Sequence, residues 1–252
     1  MSNDVALLLS LTPHGDNAAI LTVFSHENGL KRGLIRGLKK QRSFLQAGNI
    51  ITLNHTRRLE NQLGTFTAEP HTDYTTPILN SAISLNAISY LTELLARTLP
   101  EEQSTPHLFT VTDAFLTDLK DRTTNGLWQR LAFYELTFLT TMGYGLSLTE
   151  KLGAVPCPHK TPLMYVSPKT GRAVSQVMGK PYADKLFPLP HIFGGPEIAT
   201  TTDLTNTFLL TGHFLNQLLF GKTLTSRQTL ITALTQLEEN DHQPSKTMEY
   251  AR

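Results

Sequence analysis

A chain of 252 residues with 40% hydrophobic and 17% charged residues holds enough apolar material for one large domain or two modest ones. No apolar run approaches the ~18–20 residues of a membrane span, and the Met-Ser-Asn-Asp start lacks a basic n-region, so a signal peptide is not expected. The net charge of +1 conceals a split: residues 1–70 carry eight Lys/Arg against five Asp/Glu, residues 71–252 fourteen against sixteen.

Val5 to Leu11 reads as a first strand, ended by the turn cluster Thr12-Pro13-His14-Gly15. Ala18 to Phe24 is a second. His26-Glu27-Asn28-Gly29 follows, and Asn-Gly accepts positive φ at both positions, the best hairpin signal in the chain. Leu30 to Ile35 is the return strand, with Gly33 marking a bulge or bend. Ile50 to Arg58 and Leu63 to Glu69 complete five short strands in about 70 residues. That count and spacing predict a small closed barrel of the OB type, with an SH3-like barrel as competitor.

After Pro77 the period becomes helical. Leu79, Ala82, Ile83, Ala87, Tyr90, Leu91 and Leu94 mark one helix, and Leu108, Val111, Phe115 and Leu119 a second that begins at Ser104-Thr105-Pro106. Asn125 is the expected cap of a third, carrying Trp128, Leu131, Phe138 and Met142 and stopped at Gly143. Residues 146–196 hold eight of the fourteen prolines, so long helices are not expected there. Leu163 to Val166 and Arg172 to Val174 suggest a hairpin instead. Helices resume near Asp203, and the polar end, 241–252, reads as disordered. The expected organisation is a barrel over 1–76 and a helical domain over 77–240, interrupted by an insertion at about 146–196.

Enzymatic signatures are absent: no phosphate-cradling Gly-rich loop, no Gly-x-Ser-x-Gly and no His-Glu-x-x-His occurs. The single cysteine, Cys157, cannot form an internal disulfide, which suits a cytoplasmic protein. With His159 it falls short of the four ligands of a structural zinc site, so no metal or cofactor is expected. A thiol hydrolase or transferase built on this pair is the weakest functional alternative.

The positive signal is charge. Lys31, Arg32, Arg36, Lys39, Lys40 and Arg42 lie within twelve residues that contain no acid. Cations beside phosphates release condensed counterions, so such a run suits a polyanion. On a strand Lys31 and Arg32 face opposite ways, whereas Arg36 to Arg42 are expected in a loop free to track a backbone. Arg57 and Arg58 extend the set, and Phe44, beside the loop, is the candidate stacking aromatic. Single-stranded nucleic acid is the expected ligand, and an RNA-binding adaptor is the second reading.

Pro13-His14-Gly15-Asp16-Asn17, Arg36-Gly37-Leu38-Lys39-Lys40, Leu45-Gln46-Ala47-Gly48-Asn49, Gln62-Leu63-Gly64-Thr65-Phe66, the stretch from Leu163 to Ser175, Pro181 to Leu186 and Thr211 to Leu215 occur in order. This ordered set resembles the RecO family of bacterial recombination mediators, in its alphaproteobacterial form. The resemblance implies an α+β chain: an N-terminal OB-fold, a helical domain, and a zinc-ribbon-like insertion that here lacks the zinc cysteines. It implies binding of single- and double-stranded DNA, annealing of complementary strands, and repair work beside the nucleoid. The implied partners are RecR, the C-terminal tail of single-stranded DNA-binding protein and, indirectly, RecA. Arg130 is the candidate for meeting that acidic tail; Lys169 and Arg172 are candidates for a partner or for DNA.

Overall fold

A computed structural model describes residues 4–56, 63–121, 124–149 and 161–241. Five strands, β1 (Asp4–Pro13), β2 (Ala18–Ser25), β3 (Gly29–Arg36), β4 (Ile50–Thr56) and β5 (Gly64–Thr72), close into a barrel in the order β1-β2-β3-β5-β4. All pairings are antiparallel except β3 with β5, which run parallel over Gly33–Ile35 and Gly64–Phe66. That order is the OB topology, so the expected five-stranded OB barrel is what the chain builds.

Alternation explains the barrel's two surfaces. Ala6, Leu8, Ala19, Leu21, Val23, Ile35, Ile51, Leu53 and Phe66 fill the interior. Gly33 lies under the Phe66 ring: a Cβ there would sit 2.7 Å from it, so closure at the β3–β5 seam depends on the missing side chain. Phe24 faces outward, away from the barrel core, and is buried edge-on against Phe109 at 5.4 Å between centroids. The turn between β2 and β3 also differs from expectation. Only Gly29 has positive φ (71°), so a three-residue connection, not a two-residue one, joins the strands.

The helices α2 (Ala82–Thr98), α3 (Pro106–Asp121) and α4 (Leu127–Thr141) follow. Ser81 caps α2, its hydroxyl accepting from the Ser84 amide at 3.3 Å. Leu79 lies before the helix and is 57% exposed, so it is not part of the buried face. Gly126, at φ 67°, and not Asn125, occupies the cap of α4. The barrel and these helices, together with Leu215–Leu230, form one compact unit; the described residues of 146–214 and 231–241 form a second.

Asn49 makes the joint inside the first unit. Its side-chain oxygen accepts from the amides of Tyr74 (2.9 Å) and Thr75 (3.0 Å) and from the Thr75 hydroxyl (3.1 Å). Beside it Gly48, at φ 98°, leaves room for Ile88 of α2, which a Cβ would meet at 2.5 Å. Tyr74 donates to Asp113 of α3 at 2.6 Å. Deeper in, Glu135 of α4 is fully buried. It accepts from Tyr90 of α2 at 2.5 Å and from Arg227 through Nε (2.8 Å) and Nη2 (2.9 Å). Burial opposes the guanidinium's charge, but the adjacent Glu135 carboxylate outweighs it and holds the Arg227 pKa above the ordinary arginine value.

The second unit carries a small sheet, β6 (Leu163–Val166), β7 (Ala173–Ser175) and β8 (Phe187–Pro188), in the order β7-β6-β8, with the short helix α5 (Gln176–Gly179). Two long helices, α6 (Thr200–Leu218) and α7 (Thr225–Asp241), begin or end in it. The helix reaches Asp241, one residue into the segment expected to be disordered. Residues 242–252 lie outside the described residues.

Two predictions follow from these contacts. Glu135→Ala leaves a buried guanidinium unpaired and is expected to cost about 3–5 kcal/mol in urea unfolding, whereas Glu135→Leu with Arg227→Met recovers most of it. Tyr74 has its pKa pushed up to about 12 by burial and by the bond to Asp113. The fold therefore holds that proton more tightly than the unfolded chain does, and its contribution is complete below pH 10 and lost from there to about pH 12. Tyr74→Phe should flatten the fall in stability over that window, measured by denaturation at successive pH values.

Candidate nucleic-acid interface

The segment after β3 is a short, anchored turn and not the open loop expected from Arg36 to Arg42. Gly37 takes φ 76°, and α1 (Leu38–Gln41) makes a single helical turn. Three contacts fix it. Leu38 is buried in the barrel core. Asn17 accepts the Gly37 amide at its backbone carbonyl (2.9 Å) and the Lys39 amide at its side-chain oxygen (3.0 Å). Gln41 donates to the Arg36 carbonyl at 2.8 Å. A polar, glycine-led sequence becomes one helical turn because a single apolar residue is pulled inward and its neighbours are capped from the β1–β2 connection.

The turn displays Arg36, Lys39, Lys40 and Arg42, all exposed. Arg32 shares the outward face of β3 with Arg36, two alternations away, and their cross-strand neighbours on β2 are Thr22 and Ala18. Thr65 and Thr67 of β5 are exposed as well, so this surface is hydroxyl-rich and cationic. Arg32 lies 3.7 Å from Glu101, but both side chains are more than half exposed, and such a pair is weak in water. Lys31 is separated from the set: it is half-buried and lines a cavity at the end of the barrel, on the inward side of the strand. Phe44 is half-buried against the barrel core, so most of its ring serves packing. Arg57 and Arg58 lie outside the described residues.

In the helices, Arg130 is half-buried on α4 and donates to the Asn125 carbonyl at 2.8 Å. It lines a groove of about 250 Å³ between α3 and α4, with Val111, Phe115, Asp118 and Phe133. Phe133 is 50% exposed. Helical periodicity marks the buried stripe of α4, and Phe133 falls outside that stripe, so nothing in the pattern singled it out. Lys169 and Arg172 are exposed at the β6–β7 turn of the second unit.

The family's zinc does not fit this chain. One cysteine cannot supply a structural zinc site. Among the described residues no cluster of three or more His, Cys, Asp or Glu is placed to hold a metal; Cys157 and His159 lie outside them. The small sheet has other support: Val166, Ala173, Leu189 and Phe193 are buried, and Asp203 accepts the His191 and Ile192 amides at 2.6 and 3.0 Å. No helix among the described residues is long and apolar enough to cross a membrane.

A closed barrel of this strand order, with a cationic turn after its third strand and a helical body behind it, defines an OB-fold protein with a helical extension. Comparison with known families places it further. The model for the recombination protein O N-terminal domain matches residues 1–73, and that for its C-terminal domain matches residues 80–228. The DNA repair protein RecO of Paracoccus denitrificans is 39% identical over 212 residues, 83% of this chain and 84% of that one. The RecO proteins of Beijerinckia indica (37% over 224 residues, 87% of each chain) and a Ruegeria species (36% over 216 residues, 84% and 87%) agree. The chain belongs to the RecO family of DNA repair proteins.

Proposed function

We propose that this protein is a recombination mediator that binds single- and double-stranded DNA through its barrel and anneals complementary strands. It acts by binding and not by catalysis, and with RecR it helps load RecA at gaps. The observation that carries this reading is the anchored turn: four exposed cations, Arg36, Lys39, Lys40 and Arg42, held on a rigid base with no acid among them. The backbone that carries these cations is already ordered, so only side-chain freedom is lost on meeting a phosphate backbone, and their neutralising effect is shared by any sequence, as annealing requires. Arg32 extends the track along β3, and Arg57 and Arg58 belong to the same proposal.

The second part of the reading is the groove between α3 and α4. Arg130 offers a guanidinium to carboxylates, and Phe133 and Phe115 offer an apolar seat. An acidic tail with an apolar end, such as that of single-stranded DNA-binding protein, matches both. Lys169 and Arg172 stand as further contacts to DNA or a partner. A cytoplasmic, nucleoid-associated location accompanies this reading.

Lys39→Ala with Lys40→Ala should weaken DNA binding and lower the salt slope by about 0.7–0.9 for each lost phosphate contact, as read from anisotropy titrations over a range of salt. An unchanged slope removes the turn from the interface. For the groove, Arg130→Ala and Phe133→Ala should each weaken capture of the acidic tail peptide by about tenfold while leaving DNA affinity unaltered, measured by calorimetry.

A further inference from the structure

The inward row of β1 runs Leu8, Ala6, Asp4, that of β3 runs Ile35, Gly33, Lys31, and that of β4 runs Ile51, Leu53, His55. At one end of the barrel the apolar filling therefore gives way to polar groups. There a cavity of about 310 Å³ is lined by Asp4, Asn28, Lys31, Leu53, Asn54, His55 and Thr56. This is the lower end of the range for small-ligand pockets and holds roughly ten waters' volume.

The cavity is built, not left over. Asp4 is buried, and its carboxylate accepts from the Ser25 hydroxyl and from Asn28 Nδ2 at 2.9 Å. The His55 ring is pinned between Gly64 and Phe66: a Cβ on Gly64 would sit 1.8 Å from Nε2, and the ring centroids of His55 and Phe66 lie 4.9 Å apart. The side-chain oxygen of Asn54 is buried and accepts no hydrogen bond among the described residues. Lys31 forms no ion pair among them.

An orphaned acceptor, a buried carboxylate and one cation exclude most ligands. A phosphate would meet the Asp4 and Asn54 oxygens and be repelled. A divalent cation would find one carboxylate. A small planar group with both N–H donors and carbonyl acceptors, attached to an anion near Lys31, satisfies all of them. We infer that the barrel-end cavity takes one unpaired nucleobase of the bound strand, with Asn54 accepting its ring N–H and Lys31 meeting its carbonyl or its phosphate. A base already paired has those edges occupied, so the cavity distinguishes single strands from duplex, and it favours thymine and guanine, which carry both a ring N–H and a carbonyl. This rests on the barrel being a DNA-binding surface.

The test compares two 20-nucleotide strands by fluorescence anisotropy: oligo-deoxythymidine, and the same backbone with its ten central nucleotides abasic. The wild type should bind the first about five- to tenfold more tightly. Asn54→Leu should shrink that preference to less than about twofold with the salt slope and melting temperature unchanged. Lys39→Ala with Lys40→Ala should weaken both strands equally and keep the preference. Equal binding of both strands by the wild type, or a full preference retained in Asn54→Leu, overturns the inference and leaves DNA binding standing. No binding of either strand overturns both. Thymidine 5′-monophosphate alone binding as tightly as the strand, with the same dependence on Asn54, reassigns the cavity to free nucleotides and overturns it too.

Discussion

The first compact unit turns on one buried carboxylate. Glu135 sits in the middle of α4 with no access to water, and an ion so placed is tolerated only when its lone pairs are filled. Tyr90 fills one from α2, and Arg227 fills two more in bidentate fashion from 92 residues further along. Three helices are therefore held in a single register by one group. The constraint reaches the barrel. α2, fixed through Tyr90, also presents Ile88 to Gly48, and Gly48 and Asn49 lead directly into β4. Such a pair adds little stability over a well-packed apolar core, but any other helix arrangement would leave a buried charge unpaired. It also dictates chain path: the segment that begins α7 has to return to the first unit after the excursion through the second.

Much of the fold was legible because it rests on short-range signals. Period-2 alternation, the Asn28-Gly29 turn and the Gly33 break give five strands, and the change to helical spacing after Pro77 gives the helices. What could not be read depends on contacts between residues distant in sequence. Glu135 looks like any polar residue of a helix until Arg227 is placed beside it. His55 was one histidine among nine, and only the antiparallel β4–β5 register sets Gly64 and Phe66 beside its ring. The turn at Arg36 to Arg42 is helical because Leu38 is buried and Asn17 caps it, neither of which a four-residue window reveals. Where local preference did mislead, at Asn125 and Leu79, the cap and the helix start lie one and three residues later.

The motifs that carried the family resemblance divide by role once placed. Leu45 to Asn49 is structural: Leu45 joins the barrel core, Gly48 admits α2, and Asn49 fastens the chain after β5. Gln62 to Phe66 is partly so, since Gly64 and Phe66 position His55 and close the barrel. Arg36 to Lys40 combines both, with Gly37 and Leu38 shaping the turn and the cations projecting from it. A family signature of this kind reports how the fold is held as much as what it touches. The same view holds for the second unit: with buried Val166, Ala173, Leu189 and Phe193 and with Asp203 capping its backbone, the small sheet has sources of order that need no cysteine-bound metal.

The proposed strand annealing would impose opposing demands, and the barrel offers a separate place for each. A mediator has to hold a strand of any sequence, which favours cations on the outside, where phosphates lie and bases do not matter. It also has to release that strand once a complement pairs with it, which requires some contact that pairing abolishes. Phosphate contacts alone cannot supply this, because duplex presents more charge than a single strand, not less. A cavity that engages the pairing edge of a base does, because the complement competes for the same atoms. With Lys39 and Lys40 on the surface and Asn54 at the barrel end, the proposed reading assigns the two tasks to different parts of one small domain.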